Sequence, residues 1–387
     1  MIEPFPIHIP AAELAALRAR LAGTRLPDRE TVPDAGQGLE LDHLTALLKA
    51  WDAHDWPALE ERWNAIGHFR AELDGLHIAF WHVRSPEPDA IPLILTHGWP
   101  GSVLEFESLI GPLTDPVAHG GSAADAFHLV VPALPGFGFS ERPTETGWHP
   151  GRTARAWAEL MSALGYRRFV AHGGDWGAFV STELARLEPE RVLALHLTMP
   201  IASPLPEDRA SADATEAAKI QQRDTFLYGA GTHAIVQGAR PQTLGYSLVD
   251  SPAGLAAWLG ERLNAFADTR PEAGGGVPLS RQVDNIALYW FTQTGASSVR
   301  WYWDAQRWTP NTAEAQNLQS VDVPTYCTLF PGEPYPVLRR WAERRYRNIL
   351  SWNEIDRGGH FAGWEQPEIL LCEIRDAFRS ARTTLRG

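Results

Sequence analysis

Three residues of this 387-residue chain have the types and settings needed for covalent catalysis: Asp175, Glu333 and His360. Asp175 is the centre of Phe169-Val170-Ala171-His172-Gly173-Gly174-Asp175-Trp176-Gly177-Ala178, an apolar run that breaks into a glycine-lined turn and restarts as an amphipathic stretch to Leu187. A strand, a sharp turn and a helix, with small residues two before and two after the central one, is the nucleophile-elbow pattern, normally built around serine. Glu333, in Phe330-Pro331-Gly332-Glu333-Pro334, follows a late strand-like run, and His360, in Gly358-Gly359-His360-Phe361, follows the last one. Nucleophile, acid and base therefore come in the order that a triad on such an elbow requires. Taken singly, each has a plainer reading: glycine-flanked aspartates are mostly turn residues, a loop glutamate is normally solvated, and one histidine among 14 is usually structural. Their order, spacing and strand-end positions favour the joint reading.

The aspartate restricts the chemistry. A serine attacking saturated carbon would leave an ether with no carbonyl for water to attack. An aspartate leaves an ester, and water activated by His360 can then attack the carboxyl carbon of Asp175 itself. The developing oxyanion needs backbone N–H donors, one from the residue after the nucleophile, Trp176, and one from the loop His97-Gly98-Trp99-Pro100, at Trp99. Epoxides and alkyl halides are the two substrate classes. An opening epoxide needs a donor for its alkoxide, whereas a halide needs weaker N–H donors. Tyr302, in Val299-Arg300-Trp301-Tyr302-Trp303, is a donor of the first kind, alongside Tyr228, Tyr246, Tyr289 and His233; each tyrosine taken alone is an ordinary packing residue.

The elements that must hold these residues are legible in outline. Leu14, Leu17 and Leu21 make a helical stripe over 11–22, stopped at Gly23, and helical patterns recur at 41–51 and 56–66, with Pro27, Pro33, Gly36, Gly38 and Pro57 marking a wrapping segment. Alternation from Leu76 to Val83 predicts a strand. Apolar runs at 93–96, 127–131, 169–172 and 192–198 predict strands, the first suited to burial on both faces, with helices at 153–164 and 178–187 between them. This alternation implies a mostly parallel sheet with helices on both faces and a site at the C-terminal strand ends. After Pro200 the strand rhythm stops, helices are expected at 212–228, 252–266 and 281–304, and strands resume at 323–330 and 349–355. The expected division is an N-terminal meander with the first strand (1–90), a first core part (91–200), a helical cap (201–320) and a second core part (321–387).

Composition narrows the partners. A net charge of -13 argues against nucleic acid, and the pairs Arg339-Arg340 and Arg344-Arg345 read as a solvated helix face. Two cysteines, Cys327 and Cys372, form neither a disulfide framework nor a metal-ligand spacing. With neither a signal segment nor a long apolar run, the expectation is a cytoplasmic, non-membrane protein with neither metal nor cofactor. The five tryptophans at 258, 290, 301, 303 and 308 are core residues or the lining of an apolar pocket.

These motifs resemble the microsomal-type epoxide hydrolases, α/β-hydrolases with an N-terminal extension. The resemblance spans most of the chain: Pro4-Phe5 through Ile9, Arg25-Leu26-Pro27-Asp28, His97 to Ser102, Pro135 to Ser140, the Gly173–Gly177 elbow, Asp250-Ser251-Pro252-Ala253-Gly254-Leu255-Ala256-Ala257-Trp258, and Gly358 to Ala362. It implies an α/β-hydrolase fold, Asp175 as nucleophile, His360 as base, Glu333 as orienting acid and Tyr302 as one of two cap tyrosines that polarise the epoxide oxygen. The second tyrosine's place, four residues before Gln237, is taken by His233, which can also donate a hydrogen bond; Tyr228 is the neighbour that could compensate. The implied partners are a small apolar epoxide and water, with a homodimer as one expected assembly, and a relative without the N-terminal anchor of the membrane-bound members is expected. A haloalkane dehalogenase-like hydrolase and a catalytically silent binding protein of the same fold are the alternatives.

Overall fold

The computed structural model describes residues 1–308, 319–379 and 381. Among them, nine strands form one sheet in the order β1-β2-β3-β5-β4-β6-β7-β8-β9. They are β1 Ile2–Pro4, β2 His68–Leu73, β3 Leu76–Val83, β4 Ile91–Thr96, β5 Phe127–Pro132, β6 Phe169–Gly173, β7 Val192–Leu197, β8 Thr325–Leu329 and β9 Ile349–Glu354. The first three pair antiparallel with their neighbours, and every pairing from β5 to β9 is parallel. The middle strands are covered on both faces: Leu93, Ile94, Leu95, Phe169, Val170 and Ala171 are fully buried, as strands lying between two helical layers must be.

The N-terminal helices α1 (Ala11–Ala22), α2 (Leu41–Asp52) and α3 (Trp56–Ala65) form where the leucine and tryptophan stripes predict them. Asp55 caps α3 by accepting the Ala58 N–H. The short α4 (Ile110–Thr114) and then α5 (Pro150–Ala163) and α6 (Asp175–Leu187) belong to the core. Between β7 and β8 lie α7 (Pro206–Ser211), α8 (Ala214–Tyr228), α9 (Thr232–Ala239), α10 (Pro241–Asp250), α11 (Pro252–Ala265), α12 (Leu279–Thr292) and α13 (Gly295–Gln306). The expected cap segment includes 309–318, which lie outside the described residues. The N-terminal segment clasps this insertion: Trp51 packs edge-on against Trp290, Trp56 against Phe291, and Arg62 reaches both Glu107 and Asp284.

Four expectations change. The helix expected over 281–304 is two, because Gln293 takes a left-handed conformation (φ 54°) and ends α12, and Gly295 begins α13. Strands β1 and β2 carry too little apolar alternation to stand out, and they form by pairing, β2 onto β3 and β1 onto β2. Helices α7, α9 and α10 are short and depend on their packing rather than on their own pattern. The arginine pairs are a solvated face only in part: Arg339 and Arg340 are exposed, Arg340 binding Glu216, whereas Arg344 binds Asp208 and Arg345 is buried against Glu183 at 3.0 Å. Among the described residues no helix is long and apolar enough to cross a membrane.

Glu183 is shared between Arg345 and Arg186, whereas among the described residues Arg345 has no other carboxylate partner. Removing the carboxylate strands a buried guanidinium, which costs roughly 3–5 kcal/mol. Glu183→Met should therefore lower the unfolding free energy by about that amount in urea titrations, with Glu183→Met/Arg345→Met recovering much of it. A single variant within about 1 kcal/mol of the parent, as for an exposed pair, would contradict this.

Candidate active site

The elbow is fixed by close approach. Asp175 opens α6 directly from the end of β6 with φ +49°, a left-handed conformation that costs a non-glycine residue about 1–2 kcal/mol. A side chain at 173 would strike the Gly177 backbone, one at 177 would strike the Thr96 carbonyl on β4, and one at 98 would strike the Asp175 carboxylate. The three glycines thus let helix, strand and loop converge on one carboxylate.

The sequence-derived triad is assembled. His360 Nδ1 lies 2.7 Å from Glu333 Oε2, and His360 Nε2 lies 3.5 Å from Asp175 Oδ2. Glu333 stands after β8 and His360 after β9, so adjacent parallel strands deliver acid and base to one side of the elbow. Burial alone would lower the His360 pKa, but the Glu333 and Asp175 carboxylates outweigh it and hold the imidazole well above its ordinary value. Burial likewise works to raise Asp175, and the bonds from His360 and from the Trp99 and Trp176 N–H groups overcome it and keep the carboxyl below its ordinary value. The resting pair is carboxylate and imidazolium.

Trp99 N–H donates to Asp175 Oδ1 at 2.8 Å. Its peptide plane is held from the other end by His97. The Leu134 N–H donates to His97 Nε2 (3.1 Å), so the single proton of this ring, which burial pushes down to about 4, sits on Nδ1 and is donated to the Gly98 carbonyl at 2.9 Å.

Above the elbow, Tyr302 packs edge-on over the Trp176 ring, with centroids 4.9 Å apart. Burial, and then the Asp175 charge, keep its hydroxyl protonated far into the alkaline range. His233 stacks on Trp99, with Nε2 3.3 Å from Tyr302 Oη and Nδ1 3.3 Å from the Ala230 carbonyl. Burial and the Arg262 charge push His233 down to about 3, so the ring is neutral and carries one N–H. A carbonyl can only accept, so that hydrogen sits on Nδ1, and Nε2 receives the Tyr302 hydroxyl. His233 is placed to hold Tyr302 rather than to offer a free donor.

The other tyrosines are elsewhere. Tyr228 and Tyr246 are 82% and 65% exposed, so Tyr228 does not replace the missing tyrosine. Tyr289 spends its hydroxyl on the Gly101 carbonyl at 2.8 Å. One residue escaped the sequence reading: Glu105, which lines a cavity of about 10 Å³ together with Asp175, His360, His172 and Thr198, room for about one water molecule. Burial pushes its carboxyl up to about 8. The available signal was an acidic residue inside the apolar run Val103-Leu104-Glu105-Phe106. A cleft of about 1060 Å³ between the 135–148 loop and helices α10 and α13 is lined by Trp301 and Trp303 but not by Asp175, Glu333 or His360. Geometry rather than size locates the chemistry. Among the described residues there is no cluster of His, Cys, Asp and Glu suited to a metal.

Known proteins share this architecture. Residues 2–106 match the family model "Epoxide hydrolase N terminus", and residues 91–245 match "alpha/beta hydrolase fold". The "Putative epoxide hydrolase" of Stigmatella aurantiaca is 44% identical over 98% of this chain and 86% of its own length. Epoxide hydrolase 1 of Oryctolagus cuniculus is 32% identical over 96% of this chain and 88% of its own length. The crystal structure of juvenile hormone epoxide hydrolase from Bombyx mori superposes with a TM-score of 0.87 at 26% identity, covering 100% of this chain and 96% of that one. Aspergillus niger epoxide hydrolase gives a TM-score of 0.86 at 28% identity, over 98% and 97% of the two chains. With its elbow, its N-terminal extension and its near full-length likeness to these proteins, the chain belongs to the epoxide hydrolase family of α/β-hydrolase enzymes.

Proposed function

We propose that the protein converts a small apolar epoxide to a vicinal diol through an ester on Asp175. The observation that carries this reading is the Asp175 carboxylate held between His360 on one oxygen and the Trp99 N–H on the other, with Tyr302 over the elbow. Asp175 Oδ2 attacks an oxirane carbon, the C–O bond breaks, and its electron pair goes to the ring oxygen. The Tyr302 hydroxyl turns from His233 Nε2 to that oxygen and gives up its proton, which is replaced by the one His360 carries at rest. Esterification removes the Asp175 charge that helped raise His360, so the imidazole is released as a base when one is needed.

Water from the Glu105-lined cavity then attacks the Asp175 carboxyl carbon. His360 takes one of its protons, the Trp99 and Trp176 N–H groups hold the oxyanion, and the second proton leaves with the diol. Atoms balance as epoxide plus water to diol. Glu333 keeps the His360 ring oriented.

Removing the base should stop the sequence halfway. His360→Gln incubated with a monosubstituted aryl epoxide is expected to gain the mass of one epoxide on the peptide containing Asp175, with turnover reduced about 10²–10⁴-fold. A variant that loses turnover and gains no mass on that peptide would contradict the ester. His233→Phe should slow ring opening about 10-fold, the loss of one hydrogen bond of about 1.4 kcal/mol, and leave ester hydrolysis intact. An unchanged alkylation rate in rapid-quench measurements would remove His233 from the mechanism.

A further inference from the structure

The oxyanion loop is held from above as well as from below. Helix α12, within the insertion between β7 and β8, sends two side chains down to it. Asn285 Nδ2 donates to the Pro100 carbonyl at 2.7 Å, and Tyr289 Oη donates to the Gly101 carbonyl at 2.8 Å. With His97 on the Gly98 carbonyl, the carbonyls at 98, 100 and 101 are all taken by side chains, and the Trp99 N–H lies among them. Both α12 side chains are buried, and the Asn285 Oδ1 is buried with no hydrogen-bond partner. An unpaired buried amide oxygen is a cost that a leucine of similar volume would avoid, so the amide is present for what its other atom does. At its start α12 is fixed to the core and to the N-terminal segment: Arg281 and Arg62 meet on Glu107, and Arg62 also binds Asp284.

We propose that Asn285 and Tyr289 are positioning residues that aim the Trp99 N–H at the Asp175 carboxylate, so that the oxyanion donor is complete only when the helical insertion is seated on the core. The inference rests on the ester mechanism above for its catalytic consequence, though not for its geometry. In ring opening, Asp175 enters as a carboxylate that His360 also holds. In ester hydrolysis, charge builds on the oxygen that faces Trp99 N–H, and a mis-aimed donor matters most there. The α12 pair should therefore separate the two half-reactions.

The test is rapid-quench kinetics on Tyr289→Phe, Asn285→Leu and the double variant with an aryl epoxide, together with residue-resolved amide hydrogen exchange at Trp99 in the enzyme alone. Tyr289→Phe keeps the ring and its packing, so a folded protein is expected. The expected result is alkylation within about 3-fold of the parent and ester hydrolysis slower by about 10- to 100-fold, less than the loss of a whole oxyanion donor. The ester should accumulate and the apparent KM should fall with kcat, while exchange at Trp99 is faster in the variants. Equal slowing of both half-reactions, or unchanged ester hydrolysis and unchanged exchange at Trp99, would overturn the assignment. If the parent forms no ester at all, the mechanism fails, and the exchange at Trp99 alone decides whether α12 sets the loop.

Discussion

The structure depends on one backbone constraint, the left-handed turn at Asp175 between the end of β6 and the start of α6. That turn brings the helix against β4 so tightly that residue 177 meets the Thr96 carbonyl. It lifts the carboxylate clear of the sheet, to where the loop after β4 and the loops after β8 and β9 can reach it. The parallel sheet supplies those loops because parallel strands end on the same side. A small local cost in backbone energy at one residue is thus held in place by the packing of the whole core.

The carboxylate that this turn presents is buried, and its surroundings compensate for the burial. The imidazolium of His360, itself paired with Glu333, and the Trp99 and Trp176 N–H groups hold it charged. Over it the insertion brings Tyr302 and His233, and its helix α12 reaches the loop that carries Trp99. The helical layer therefore does more than cover a pocket, since it contributes hydrogen bonds to the core loop that carries Trp99.

Much of this was legible from residue order alone. The elbow, Glu333 and His360 announce themselves because their glycine and proline neighbours mark strand ends, and the central strands because they are unbroken apolar runs. What escaped detection depends on partners distant in sequence. Strand β2 exists by pairing to β3, and β1 by pairing to β2. Arg345 looks like a surface cation until Glu183 of α6 meets it in the interior. Tyr228 and Tyr302 are both tyrosines in helical stretches, and only the packing separates the exposed one from the buried one. Glu105 carries only the weak signature of an acidic residue in an apolar run and Asn285 carries none, since what marks either residue is what it faces in the fold.

The central claim is that water attacks the enzyme's own carboxylate rather than the substrate. A single turnover of excess enzyme with an epoxide in H₂¹⁸O, followed by mass analysis of the diol and of the peptide containing Asp175, tests it directly. The expected result is ¹⁸O in the Asp175 carboxylate and none in the first-turnover diol. Labelled diol with an unlabelled Asp175 peptide would contradict the covalent account, and halide release from a haloalkane panel without diol from any epoxide would contradict the substrate class.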